Sequence, residues 1–257
     1  MSEPFDPRGF APRPDELAGR VIAITGPTRG IGHAVALACA RHGAEVILVG
    51  RNIKKLEAVH AEIEAAGGVA TIAVLDMERS LANDYDAIAA GVQEHYGRLD
   101  GLLHNASILG SLAPVEHYDV PTWCRVLHVN VTAAFALTQV LLPMLKRSQD
   151  ASVVFTSSSV GRRGRAYWGA YSASKFAVEG LSQVLAAEME GISQIRVNTL
   201  NPGATRTLMR RQAFPSENPD DLPAPEQIVD SYLALLGPAS RGVTGRSFEA
   251  QRPRVPS

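Results

Sequence analysis

Short apolar runs alternate with helical patterns along this chain. The runs are "VIAIT" (21–25), "EVILVG" (45–50), "TIAVL" (71–75), "LDGLLH" (99–104), "SVVFTS" (152–157), "IRVNTL" (195–200) and a short "SFEA" (247–250). They are continuously apolar rather than alternating, as strands are when both faces of their sheet are covered. Between them, helical patterns occupy about 31–42, 54–66, 80–96, 122–147, 169–190 and 226–236. Strand and helix in alternation predict a parallel sheet with right-handed crossovers. The expected fold is a single doubly wound α/β domain of about seven strands, with helices on both faces. Residues 1–15 are polar and proline-rich and read as an N-terminal extension to a domain over 16–257. Residues 212–225, "QAFPSENPDDLPAP", read as a surface loop.

Bulk properties narrow the class. A formal net charge of −1 gives no argument for nucleic acid or an anionic membrane as partner. Two cysteines, Cys39 and Cys124, both fall in helical patterns, which argues against a disulfide framework and a cysteine metal site. No metal is expected. The N-terminus lacks the apolar core of a signal peptide. The longest apolar stretch, "TAAFALTQVLLPML", is too short to span a bilayer and reads as a buried helix. A cytoplasmic protein is the expectation.

Chemistry enters with the first strand, which runs into "TGPTRGIG" and then a helix. Glycines at 26, 30 and 32 permit a tight turn and close approach of backbone to a pyrophosphate. The helix N-terminus that follows offers unpaired N–H groups and a partial positive charge. In the first strand–helix unit of such a sheet, this pattern points to a dinucleotide. Further on, Tyr171 and Lys175 are four apart, neighbours on one helix face. Tyr167 has Tyr171 at that offset and no cation.

TGxxxGxG, then "HNAS" after the fourth strand, then Ser, Tyr-x3-Lys and "NPG", in this order over residues 18–250, resemble the short-chain dehydrogenase/reductase family. The segment "VFTSSSVGRRGRAYWGAYSASKFA" and the ending "TGRSFEAQ" look most like its YciK-type bacterial branch. The resemblance implies a Rossmann-type fold and hydride transfer between a nicotinamide and a carbonyl or alcohol. It gives Tyr171 the role of general acid and base. Lys175 would lower the tyrosine pKa and hold the ribose. Ser158, thirteen residues before Tyr171, would stabilise the substrate oxygen, with Ser159 a possible neighbour in the cleft. Asn130 would support a water relay, a structural water being the alternative.

Cofactor positions follow from the same resemblance: Gly26, Thr28, Arg29, Gly30, Ile31 and Gly32 in the turn, and Asp76 towards the adenine. Asn105 and Ala106 lie at the end of strand four, with Ser107 where glycine is usual. Pro202, Gly203, Thr205 and Thr207 lie in and after "NPG", beside Tyr171 and Lys175. NAD-preferring members carry an acid at the end of strand two; here Gly50 and Arg51 stand there, with Arg29 nearby, which favours NADP(H). A homo-oligomer, dimer or tetramer, is implied, through helices near 122–147 and 169–190.

Other readings stay open: a dinucleotide sensor or scaffold without turnover, and an enoyl reductase or epimerase on the same fold. Six arginines (162, 163, 165, 206, 210 and 211) bracket the expected substrate cleft. They favour an anionic substrate if they face it, and are ordinary solvated groups if they do not.

Overall fold

All five residues of the first strand, β1 (Val21–Thr25), are buried, because the strand lies in the middle of the sheet and is covered on both faces. A computed structural model describes residues 5–252. After β1 come α1 (Gly30–Arg41), β2 (Glu45–Gly50), α2 (Ile53–Ala65), β3 (Val69–Val74), α3 (Ala82–His95) and β4 (Gly101–His104). The second half holds α4 (Val120–Leu127), α5 (Ala133–Arg147), β5 (Ser152–Thr156), α6 (Gly169–Met189), β6 (Arg196–Asn201), α7 (Leu208–Ala213), α8 (Val229–Leu236) and β7 (Ser247–Glu249). The strands form one sheet in the order β3-β2-β1-β4-β5-β6-β7, and every pair is parallel. This is the doubly wound sheet read from the apolar pattern.

Strand alternation distributes β1 between two cores. Val21 and Ala23 join the cluster under α3, α5 and α6, while Ile22 and Ile24 join the cluster under α1, α2 and α8. Phe5 and Phe10 pack against the second cluster, and the Phe5 ring meets Phe248 edge-on at 5.5 Å. Residues 1–4 and 253–257, parts of the expected extension and domain, lie outside the described residues.

Two differences from the expected elements bear on function. The helix expected over 122–147 runs Val120–Arg147, 28 residues, with an 18-residue window of mean hydropathy 1.5, so length alone does not exclude a span. It packs instead: Leu137, Leu141, Met144 and Leu145 are buried on the sheet. Its α4 and α5 are joined by a π turn, His128–Thr132, which carries Asn130. The second difference is α7, in a region with no periodic signal. It forms because the Thr207 hydroxyl oxygen accepts from the Arg210 N–H at 3.1 Å, an N-cap.

The order of the sheet reverses between β1 and β4, where the crossover helices pass to opposite faces. At such a switch point the carboxyl ends of adjacent strands leave a crevice.

Candidate active site

The crevice is a cleft of about 460 Å³. Its floor is the turn after β1, held by a buried threonine: the Thr25 hydroxyl oxygen accepts the N–H groups of Asn105 and Ala106, both at 3.0 Å. The Asn105 amide returns bonds to the carbonyls of Thr25 and Gly26 at 3.3 and 3.4 Å. Gly32 is forced by this closeness, since a Cβ there would stand 2.3 Å from the Gly26 carbonyl oxygen and 2.5 Å from the Asn105 amide. At Gly26 φ is +68° and a Cβ would lie 3.0 Å from Ala106 Cα. At the start of α1, Arg29 supplies no side-chain cap, which leaves the first N–H groups to bind something else. Backbone cradle, open helix N-terminus and length of cleft together fit a dinucleotide.

Every cofactor residue named from the sequence lines this cleft except Gly32 and Lys175. Gly32 acts through the turn it permits, and Lys175 lies behind the cleft wall. Beyond β2, Arg51 meets acids that its own strand does not supply. Its guanidinium is 3.2 Å from Glu78 and 3.9 Å from Asp76, both past the end of β3. The end of β2 itself carries no acid, as read from the sequence; these two come across from the neighbouring strand. Glu78 also pairs with Arg125 at 2.8 Å, and these guanidinium groups hold its carboxyl below the usual range.

At the other end stands Tyr171, 8% exposed on the first turns of α6. Burial pushes its phenol up to about 12, against hydrogen bonds from Ser107 and Ser158. Lys175 is 3% exposed, donates to the Thr156 carbonyl at 2.7 Å, and sits 5.5 Å from the Tyr171 ring centroid. Burial brings its ammonium down to about 8, while Glu179 opposes the fall. The net position of the tyrosine lies above its ordinary value, not below it, because burial outweighs what stabilises the phenolate. The ammonium is aimed at a carbonyl, and desolvation of the phenol dominates.

Asn130 does not line the cleft. Its carbonyl accepts from the Ile108 N–H at 2.8 Å, and its amide donates to the Ile108 carbonyl and the Ser174 hydroxyl, both at 3.0 Å. The π turn aims this side chain inward, so that α6 and the loop after β4 are braced together. Of the three serines, Ser157 and Ser158 line the cleft. Ser157 bonds the Glu179 carboxylate, and Ser159 is exposed and outside the lining.

Four features escaped the sequence reading. Ser107 was noted only as a departure from glycine, yet its hydroxyl reaches Tyr171. Glu179, one turn past Lys175, accepts from Ser157, from Thr199 at 2.9 Å, from Ser247, and from Arg162 at 3.4 Å. Its signal was the i, i+4 offset from the lysine. Gln251, the last residue of the ending "TGRSFEAQ", pins the "NPG" turn through the Pro202 and Ala204 carbonyls at 2.7 and 3.2 Å, a task its position in the sequence did not disclose. Trp168 meets the Tyr171 ring edge-on at 5.8 Å.

A parallel sheet with its cleft at the switch point, a glycine turn on its floor and a buried Tyr–Lys pair at its end defines a dinucleotide-dependent class. Comparison with known proteins gives the family. The short chain dehydrogenase family model matches residues 20–218. The oxidoreductase YciK of Escherichia coli (strain K12) is 48% identical over 248 residues, covering 96% of this chain and 98% of that protein. A short chain dehydrogenase of Escherichia coli CFT073 complexed with NADPH has a TM-score of 0.91 at 49% identity, covering 94% of this chain and 100% of that one. One of Shigella flexneri 2a str. 301 complexed with NADP also has a TM-score of 0.91, at 47% identity, covering 93% and 100%. The chain belongs to the short-chain dehydrogenase family and is an oxidoreductase, as the order of its motifs led us to expect.

Proposed function

We propose that this chain is an NADP(H)-dependent oxidoreductase acting on a carbonyl or alcohol, with Tyr171 as the group that gives or takes the proton. One observation carries the reading: a phenol buried from bulk water lines the dinucleotide cleft with the Ser107 and Ser158 hydroxyls on it and a lysine behind it. Bound nicotinamide supplies or accepts the hydride. The chain does the rest. In reduction, the substrate carbon gains hydride and its oxygen takes the Tyr171 proton. A phenol that keeps its proton to about 12 is loaded for that step at neutral pH. Ser158 steadies the developing oxyanion, and the Lys175 charge stabilises the phenolate left behind. In oxidation the proton returns by the same path. Asn130 holds the loop after β4 against α6, and a water relay through it belongs to the same proposal.

Support for NADP(H) comes from the two relatives complexed with NADP and NADPH, and from Arg29 and Arg51 flanking Gly50. The pairing of Arg51 with Glu78 is no obstacle. Arg51 is 61% exposed in that pair, and exposed pairs contribute about 0–1 kcal/mol, so a 2′-phosphate can displace it. Association of copies through the outer face of α6 is also proposed; Phe176 and Val184 are exposed there, one turn either side of Gly180.

The test is Tyr171→Phe, assayed for carbonyl reduction and for NADPH and NADH binding. Turnover should fall at least about a thousandfold, within the upper range for loss of a proton donor. Affinity for NADPH should stay near wild type and exceed that for NADH. Tyr167→Phe, at an exposed position, should change little. Equal loss in both variants sinks the assignment, and tighter NADH binding sinks the cofactor choice.

A further inference from the structure

The six bracketing arginines do not make an anion site beside Tyr171. Arg162 is held by Glu179, Glu249 and the Phe248 carbonyl. Arg206 pairs with Asp220 at 3.2 Å, and Arg210 grips Glu217 through two nitrogens at 2.6 and 2.8 Å. Arg163, Arg165 and Arg211 do not line the cleft that holds Tyr171. Arg29, Arg51 and Lys55 line it at the far end, beside the glycine turn and the end of β2.

Beyond the Ser107 and Ser158 hydroxyls, the side chains packed against the phenol are apolar. Leu109, Val160 and Tyr171 form one buried cluster, against which Trp168, Met209 and Ala213 pack. Of these, only Val160 does not line the cleft. Trp168 is held there by its neighbours. Tyr167 before it has φ of 72°, a left-handed backbone that a bulky residue adopts only under constraint. The Tyr167 carbonyl accepts from the Ala113 N–H at 3.1 Å, which fixes the turn. On its other side the indole meets Phe214 at 5.6 Å, and Arg165 and Arg210 lie over the Phe214 ring at 4.9 and 3.7 Å. Residues 160–168 and α7 are thereby tied at an aromatic wall, with Arg162, Arg165 and Arg210 turned onto rings and acids.

We propose that the substrate carbonyl bears a flat, uncharged apolar group, a ring or conjugated chain, and that Trp168 is the residue that selects it. The group packs on the indole with Leu109, Met209 and Ala213 around it, while its carbonyl oxygen meets Tyr171 and Ser158. This rests on the role of Tyr171 proposed above. A carboxylate on the same group would lose its water in a region whose lining cation, Arg210, is already paired, and buried unpaired charge is strongly disfavoured. Burial of the ring contributes roughly ten- to a hundredfold in kcat/KM.

The test uses benzaldehyde, 4-carboxybenzaldehyde and propanal with NADPH, and wild type beside Trp168→Ala and Trp168→Phe. In wild type, benzaldehyde should exceed both propanal and 4-carboxybenzaldehyde by about tenfold or more in kcat/KM. Trp168→Ala should cut the benzaldehyde-to-propanal ratio about tenfold, and Trp168→Phe should restore most of it. A ratio cancels any general damage to Tyr171. Binding is read separately, as quenching of tryptophan fluorescence by acetophenone that is lost in Trp168→Phe. Quenching without turnover of any aldehyde would support the pocket and defeat the role of Tyr171. Reduction of 4-carboxybenzaldehyde as fast as benzaldehyde, or a ratio unmoved in Trp168→Ala, would overturn the inference.

Discussion

Glu179 shows how a residue remote from the cleft governs one just behind its wall. Its carboxylate gathers donors from just past the end of β5, from β6 and β7, and from the turn after Ser158, and it favours the charged form of Lys175. Burial, opposed by Glu179, leaves Lys175 at about 8, close to working pH. Glu179→Gln keeps most of the hydrogen-bonding shape but removes the charge, so Lys175 should lose its proton at a lower pH than in wild type. The high-pH limb of kcat/KM should therefore move to lower pH, with near-equal rates at pH 6 and a several-fold deficit at pH 8. A loss of equal size at every pH would reduce Glu179 to a purely structural part. At this scale the sequence disclosed residue types and offsets, such as Tyr171 with Lys175. It could not disclose that Ser107 reaches the phenol or that Glu78 reaches Arg51, because those meetings depend on how separate strand ends converge.

Among elements, β4 and α5 are joined by a bond that fixes a tautomer. Thr138 gives its hydroxyl proton to the Ala134 carbonyl at 2.8 Å, so its oxygen must accept from His104 Nε2, also at 2.8 Å. His104 is thus neutral with the proton on Nε2, and its Nδ1 is buried without a partner. Stacked on Phe155 at 4.7 Å, the ring is desolvated and its pKa falls to about 3. The unfolded chain binds this proton below about 6.5 and the native one does not. Stability tied to His104 is whole above pH 6.5 and is lost as pH drops towards 3. In urea unfolding, the advantage of wild type over His104→Gln should shrink by about 2 kcal/mol between pH 7 and pH 5. An unchanged difference would mean that the imidazole charges inside the fold. The strands themselves were legible, since runs such as "VIAIT" need no context to be read as buried. The π turn and α7 were not: one arises from the bonds of Asn130 to Ile108 and Ser174, the other from a single threonine cap.

For the whole molecule, the parallel register determines how far apart in sequence the pairing residues lie. Val21 pairs with Glu45, but Ile22 on the other edge of β1 pairs with Gly101, and Thr25 receives Asn105 and Ala106 from just beyond. Helices need only local contacts, whereas the crevice needs this long closure, whose entropy must be overcome before any contact there can form. The glycine turn therefore has no shape of its own until the chain between has folded around it. On refolding from urea, the helical circular dichroism should return first, and the capacity to bind NADPH should lag behind it. Simultaneous recovery of both signals would refute that order. Speed of maturation, not only final stability, is thus set where β1 meets β4.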